Sequence, residues 1–312
     1  MGKIKLDQHG IGFVSALWAY IFWGLLPLYW KLVAHVPADV VLAHRIIWSL
    51  IFVSGILVLL RKVPTFVTEF KTMLANKKQL LFITMAAGFI SFNWFTYIWA
   101  VNNGHLVEAS LGYYINPLVS VVFGMIFFKE ILTKWQTLSF LLATAGVVIL
   151  AIYTGGVPFI SLTLAISFAF YGVLKKKVEV GALTGLAVET MIVTPVALIY
   201  LTMIYSSITE AFYLNSLSTL WLLAGGGAAT AIPLLLFAIG ARRIPLATIG
   251  FLQFLAPTIT LIIGIFLFNE PFGGIHLLAF SFIWVALAIY TFSKTKLFRR
   301  LQTIQMEKRP AS

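Results

Sequence analysis

Apolar runs fill this chain almost from end to end, and twenty of its 22 lysines and arginines sit in every second gap between them. That alternation fixes the fold class. A spanning helix needs about 20 apolar residues. Runs of this kind lie near 11–33, 38–60, 79–101, 106–128, 135–153, 157–174, 183–205, 217–240, 245–268 and 273–293. Each must be helical, because unpaired backbone groups cannot face hydrocarbon. Turn signals punctuate them at Val36-Pro37-Ala38-Asp39, Gly155-Gly156-Val157-Pro158, Gly181, Ile244-Pro245 and Asn269-Glu270-Pro271.

The basic residues test the count. Lys3 and Lys5 precede the first run, and Arg61, Lys62, Lys71, Lys77 and Lys78 separate the second from the third. Lys129 and Lys134 follow the fourth, Lys175 to Lys177 the sixth, Arg242 and Arg243 the eighth, and the remaining six lie in the tail. Loops that stay in the cytoplasm retain Lys and Arg. The pattern therefore predicts an all-α polytopic membrane protein of ten transmembrane helices, with both termini cytoplasmic. The two exceptions are Lys31 and Arg45. Lys31, at the outer end of the first run, is expected to snorkel toward headgroups.

Composition agrees: 61% of the 312 residues are hydrophobic and 10% are charged, where a soluble domain carries about 25% charge. The net charge of +12 is spread over short loops rather than along one stripe, which argues against nucleic acid as a partner. No cysteine is present, which removes disulfides, thiolate metal sites and a cysteine nucleophile. No cofactor is implied. The first run is too long for the apolar core of a cleaved signal peptide.

At an offset of 140 residues the chain partly repeats itself. Leu106, Pro117, Gly124, Phe128 and Glu130 match Leu246, Pro257, Gly264, Phe268 and Glu270. A weaker match relates Phe22-Trp23-Gly24 to Phe170-Tyr171-Gly172. Five helices therefore occur twice, over 11–154 and 157–293, followed by a basic cytoplasmic tail at 294–312. Because five is odd, the second copy enters the membrane from the opposite face. Inverted pairs of this kind recur in secondary transporters, where the halves rock about a midplane site.

On these features the chain resembles the EamA unit of the drug/metabolite transporter superfamily, two copies of Leu-x10-Pro-x6-Gly-x5-Glu closing the fourth helix of each half. More narrowly it is similar to the bacterial RarD-like permeases. That likeness is carried by Val36-Pro37-Ala38-Asp39, His44-Arg45, Ile98 to Asn103, Glu108 to Tyr113, Asn116-Pro117-Leu118, Ser167 to Gly172, Glu189-Thr190 and Phe282 to Ile289. The resemblance implies a permease of the bacterial inner (plasma) membrane. It names no substrate.

Ionisable groups inside the bilayer are costly and are usually paired, cavity-facing and functional. Arg45, about 10 Å below the outer end of the second helix, suits an anion contact, a gating pair, a structural salt bridge or snorkelling. Glu189 holds the corresponding place in the seventh helix, on the other side of the midplane. A carboxylate buried there can take up a proton, so protons are a candidate coupling ion; a neighbouring hydroxyl or loop lysine holding it is the structural alternative. Glu108, in the first turn of the fourth helix, complements the helix dipole or touches substrate.

Seven neutral groups complete the candidate cavity: Trp23, Asn93, Tyr97, Tyr113, Asn116, Tyr171 and Gln253. Asn93 and Tyr97 share a helix face, Gln253 is the repeat-mate of Tyr113, and Trp23 that of Tyr171. Such groups can grip a planar or amphipathic solute, or simply bond helix to helix. Pro117 and Pro257 are expected to kink their helices, and Gly225 to Gly227 to allow close packing. The chain shows no His-Glu-x-x-His, no Gly-x-Ser-x-Gly and no ATP-binding loop. The expectation is a secondary-active permease, exporting a small organic metabolite or drug by alternating access, and not an enzyme. A non-transporting membrane partner is the main alternative and an intramembrane enzyme the weaker one; a homodimer is not readable.

Overall fold

The computed structural model describes residues 7–103, 105–155, 159–205, 216–267 and 272–293. Lys3, Lys5, the turn at 156–158, Phe268, Glu270 and the 294–312 tail lie outside them. Twelve α-helices form among the described residues: α1 Gln8–Leu32, α2 Ala38–Leu59, α3 Val63–Ala75, α4 Lys77–Asn102, α5 Leu106–Phe128, α6 Lys134–Tyr153, α7 Phe159–Lys177, α8 Ala182–Tyr205, α9 Leu217–Ala241, α10 Leu246–Gln253, α11 Leu255–Leu267 and α12 Gly274–Ser293. Ten spans are long and apolar enough to cross a membrane, the ninth being α10 and α11 together. The chain is a polytopic helical membrane protein.

Local chemistry sets the boundaries. Asn76 accepts from the amides of Lys78 and Gln79 and starts α4. Thr133 and Gln136 form a capping box at α6. Pro37 and Pro245 hold extended backbone immediately before α2 and α10.

Three features depart from the expectation. The segment between the second and third spans folds into a short helix, α3. Its Phe66, Phe70 and Met73, at helical spacing, pack on Ile83, Val178, Val180 and Val188, while Lys71 on the other face is exposed. The ninth span is interrupted for one residue at Phe254, whose backbone stays in the right-handed helical region. Pro257 has no N–H for the Gln253 carbonyl four residues back, and its ring crowds that carbonyl. Pro117, by contrast, leaves α5 continuous. Lys175 is not in a loop at all: it lies within α7 and is 2% exposed.

Most packing joins the N-terminal five spans to the C-terminal five. Helix α1 packs on α9 and α11, and α7 correspondingly on α4 and α5. Helix α2 packs on α9 and, correspondingly, α8 on α4, and the pairs α2 with α8, α5 with α10 and α6 with α12 complete the set. A shift by five spans maps each of these interfaces onto another or onto itself. Small residues permit the approach: a Cβ on Gly227 would sit 2.3 Å from the Trp48 carbonyl carbon, and one on Gly146 would sit 2.6 Å from the Ala279 oxygen.

The alternate loops share one face and bond to one another there. Arg242 donates to the Glu179 carbonyl at 2.9 Å and to that of Val180. Gln79 accepts from the Glu179 amide at 3.0 Å, Glu69 from that of Gly181 at 3.1 Å, and Arg243 Nε donates to Gln8 at 3.0 Å. This is the basic face. The other ends of the helices meet on the opposite face, where Tyr200 donates to Asp39 and His35 bonds Thr219 at 3.0 Å.

Candidate functional site

Two charged groups occupy equivalent places in the two halves. Arg45 is the seventh residue after the start of α2, and Glu189 the seventh after the start of α8. Because α2 starts at the opposite face and α8 at the basic face, each lies about 10 Å inside its own face.

Arg45 stands among aromatic groups from neighbouring spans. Its guanidinium carbon lies 4.4 Å from the ring centre of Trp30 on α1 and 5.6 Å from that of Trp94 on α4. Nε donates to Thr230 Oγ1 of α9 at 2.9 Å, and that hydroxyl donates onward to the Gly226 carbonyl at 2.8 Å. Tyr97 and Tyr113 are within electrostatic range of the guanidinium. Their rings meet edge to face, with centres 5.7 Å apart. Tyr113 is 49% exposed, and Arg45, Trp30, Trp94 and Tyr97 are half-buried. Trp30, Tyr97 and Tyr113 all lie near the ends of α1, α4 and α5 that meet the opposite face. The group forms a cationic cluster walled by aromatic rings in that half of the bundle.

Glu189 has a different environment. It is 3% exposed, and its carboxylate accepts from Lys175 Nζ at 2.7 Å and from the Tyr171 hydroxyl at 3.2 Å. Both donors come from α7, one turn apart, so a single helix face supplies them. Tyr171 stacks on Phe237, centres 5.6 Å apart, and Trp23 lies against the same ring at 5.7 Å. Phe168 touches both Trp23 and Tyr171. The repeat-mates Trp23 and Tyr171 thus share one central aromatic cluster. Between the two charged levels runs a cavity of about 20 Å³, lined by Ser49, Trp94, Thr230, Tyr171, Glu189 and Thr190 among others. It has room for about one water molecule, not for an organic solute.

Of the sequence-selected residues, Arg45, Tyr97 and Tyr113 come together, as do Trp23, Tyr171 and Glu189. The others stand apart. The buried Asn93 amide donates to the Leu164 carbonyl at 2.8 Å and to Ser167 Oγ at 2.9 Å, clasping α4 to α7. Asn116 accepts from Ser120 within its own helix at 3.5 Å. Glu108 pairs with His105 at 2.9 Å at the mouth of α5. Gln253 is buried at the α10–α11 break, beside the buried hydroxyl of Tyr20.

Sequence reasoning missed Trp30, Trp94 and Thr230; the neighbouring hydroxyl and lysine it offered as the structural alternative for Glu189 are those of Tyr171 and Lys175, the lysine standing within α7 rather than in a loop. Lys175 carried a signal: it falls four residues after Tyr171, on the same helix face. Glu130, which ends the repeated motif, also gains a role. It accepts from the amides of Leu246 and Ala247 at 2.7 and 2.8 Å and pairs with Lys176 at 3.2 Å. A residue following α5 thereby caps the N-terminus of α10, where a carboxylate meets the positive end of the helix dipole. A Cβ on Gly124 would sit 2.6 Å from this carboxylate, which explains the glycine six residues earlier.

The chain is similar to known proteins along nearly its whole length. Residues 10–152 match the EamA-like transporter family. The transporter YojE of Bacillus subtilis (strain 168) is 46% identical, covering 91% of this chain and 95% of its own. Protein RarD of Escherichia coli (strain K12) is 43% identical over 89% and 93% of the two chains. The chloramphenicol-sensitive protein RarD of Pseudomonas aeruginosa is 28% identical over 93% and 97%. A crystal structure at 18% identity superposes with a TM-score of 0.67 over 94% of this chain and 98% of the other, which shows a common fold.

Proposed function

This chain belongs to the EamA-like transporter family, among its RarD-like permeases, and on that premise we propose that it is a secondary-active transporter of a small organic solute. The halves 11–154 and 157–293 rock against each other, exposing the pocket to one side of the membrane at a time. In this proposal the basic face is cytoplasmic, the membrane is the bacterial inner membrane, and the net direction is export.

One observation carries the proposal: the asymmetry between the faces. In the opposite-face half Arg45 is only half-buried and Tyr113 is half-exposed. Toward the basic face, the way is closed by the aromatic cluster, the Lys175–Glu189 pair and the Glu130–Lys176–α10 junction. Such a molecule is one state of an alternating-access cycle. Glu189 is the coupling carboxylate. Protonation removes its charge, weakens its hold on Lys175 and loosens α8 from α7, which opens the basic face.

The absence of cysteine gives a direct test. Tyr113→Cys and Thr184→Cys, made singly, place a thiol in the pocket and near the basic-face end of α8. With a membrane-impermeant maleimide, reactivity should shift from residue 113 to residue 184 when the proton gradient is inverted. Glu189→Gln should abolish that shift. Reactivities indifferent to gradient polarity in the unmodified background would sink proton-coupled alternating access.

A further inference from the structure

We propose that the Arg45 pocket is a receptor for an organic monoanion, a carboxylate or similar oxyanion carried on a flat apolar body. The inference rests on the transport function above and narrows its cargo.

Arg45 is held in place but left electrically unpaired. Nε is committed to Thr230, and the Thr230 hydroxyl is itself fixed on Gly226. The terminal amino groups have no hydrogen-bond partner among the described residues, and no described carboxylate forms an ion pair with Arg45. The ion pairs among the described residues use Glu108, Glu130 and Glu189. Glu69 and Asp39 are occupied by Gly181 and Tyr200. A cation inside a bilayer protein is costly, and here no described carboxylate offsets that cost.

The surroundings specify what can complete the charge. Trp30 and Trp94 lie against the guanidinium, and the terminal edge remains, a planar pair of donors matched to two oxygens of one carboxylate. The phenols of Tyr97 and Tyr113 add O–H donors within range of the same charge. Half-buried Trp94 and half-exposed Tyr113 offer ring faces to an apolar body. A second cation would be repelled. A dianion would bring one charge more than the single arginine balances. A neutral solute of the same shape would displace water from the amino groups without replacing its bonds.

The test uses the purified full chain in phosphatidylcholine nanodiscs, which keep anionic headgroups out of competition. The probes are radiolabelled indole-3-acetate, the neutral indole-3-acetamide, and acetate. The acid should bind saturably, with the amide and acetate each weaker by about tenfold or more. Arg45→Gln should remove the preference for the acid over the amide. Arg45→Lys keeps the charge but not the flat face or the paired donors. It should bind the acid about tenfold more weakly while retaining the preference. If Arg45→Gln does not yield monodisperse protein, Arg45→Lys decides: loss of the preference there overturns the proposal. Equal binding of acid and amide by the unaltered protein, or no binding of the acid, overturns it as well. None of these outcomes touches the cysteine-accessibility shift, so the anion site can fail while alternating access stands.

Discussion

Arg45 and Glu189 hold the same position in the two halves, yet the protein treats them in opposite ways. Glu189 is enclosed and satisfied, bonded to a lysine and a tyrosine from one face of α7. Arg45 is held by a threonine and two indoles and meets no carboxylate among the described residues. The neighbouring helix explains the difference. Matching Trp23 to Tyr171 puts Pro27 where the second half has Lys175, so the first half has no side chain at that place able to pair with a charge. Two equivalent positions thus differ in surroundings: one holds an enclosed ion pair, and the other an arginine that no described carboxylate meets.

The largest expected effect breaks the closed pair. Lys175→Met leaves the Glu189 carboxylate buried without its cation, which should cost about 3–5 kcal/mol. Replacing both, as Lys175→Met with Glu189→Leu, should restore most of that loss, because an apolar pair of similar volume suits the site. Unfolding by SDS titration in mixed micelles would measure both. If the double variant is no more stable than the single one, the pair does not act as a unit. Next comes Glu130→Ala, on the same face. It removes two amide bonds to the start of α10 and the Lys176 pair, a loss of about 1–3 kcal/mol. Loosening this junction should also raise maleimide labelling of Thr184→Cys and leave that of Tyr113→Cys unchanged. Equal increases at both positions would mean that the two faces are not independently held.

The ten spans were legible because the cost of unpaired backbone in lipid leaves a helix as the only option for each apolar run. What escaped the sequence depended on tertiary neighbours. Lys175, first of three lysines, looked like part of a cytoplasmic loop; the helix runs on through it, and burial against α8 makes it a partner for Glu189. The break at Phe254 and the continuity of α5 come from prolines at matching positions, so proline alone could not distinguish them. Phe66, Phe70 and Met73 carry the spacing of a buried helix face, but the run at 63–75 is too short to span a membrane and does not register as a crossing. Arg45 was visible as an anomaly, while Trp30, Trp94 and Thr230 reach it from three other helices and share no spacing with it. Asn93 and Tyr97 share a helix face, yet one clasps α7 and the other meets Tyr113.

The smallest effect tests the open half of the comparison. Arg45→Met should change stability by only about 1 kcal/mol or less. It gives up one bond to Thr230 and its contacts with Trp30 and Trp94, but it orphans no buried carboxylate. The Thr230 hydroxyl keeps its own bond to the Gly226 carbonyl. Thr230→Val removes only the hydroxyl and should cost no more, since the guanidinium retains its indole faces and its access to water. Both effects should thus fall several-fold below that of Lys175→Met in the same titration. Ligand binding is affected far more than stability: Arg45→Met should abolish indole-3-acetate binding, whereas Thr230→Val should weaken it by about tenfold at most, by loosening the guanidinium. A cost for Arg45→Met comparable to that of Lys175→Met would show that Arg45, like Glu189, is a charge the fold depends on, and the contrast between the two halves would collapse.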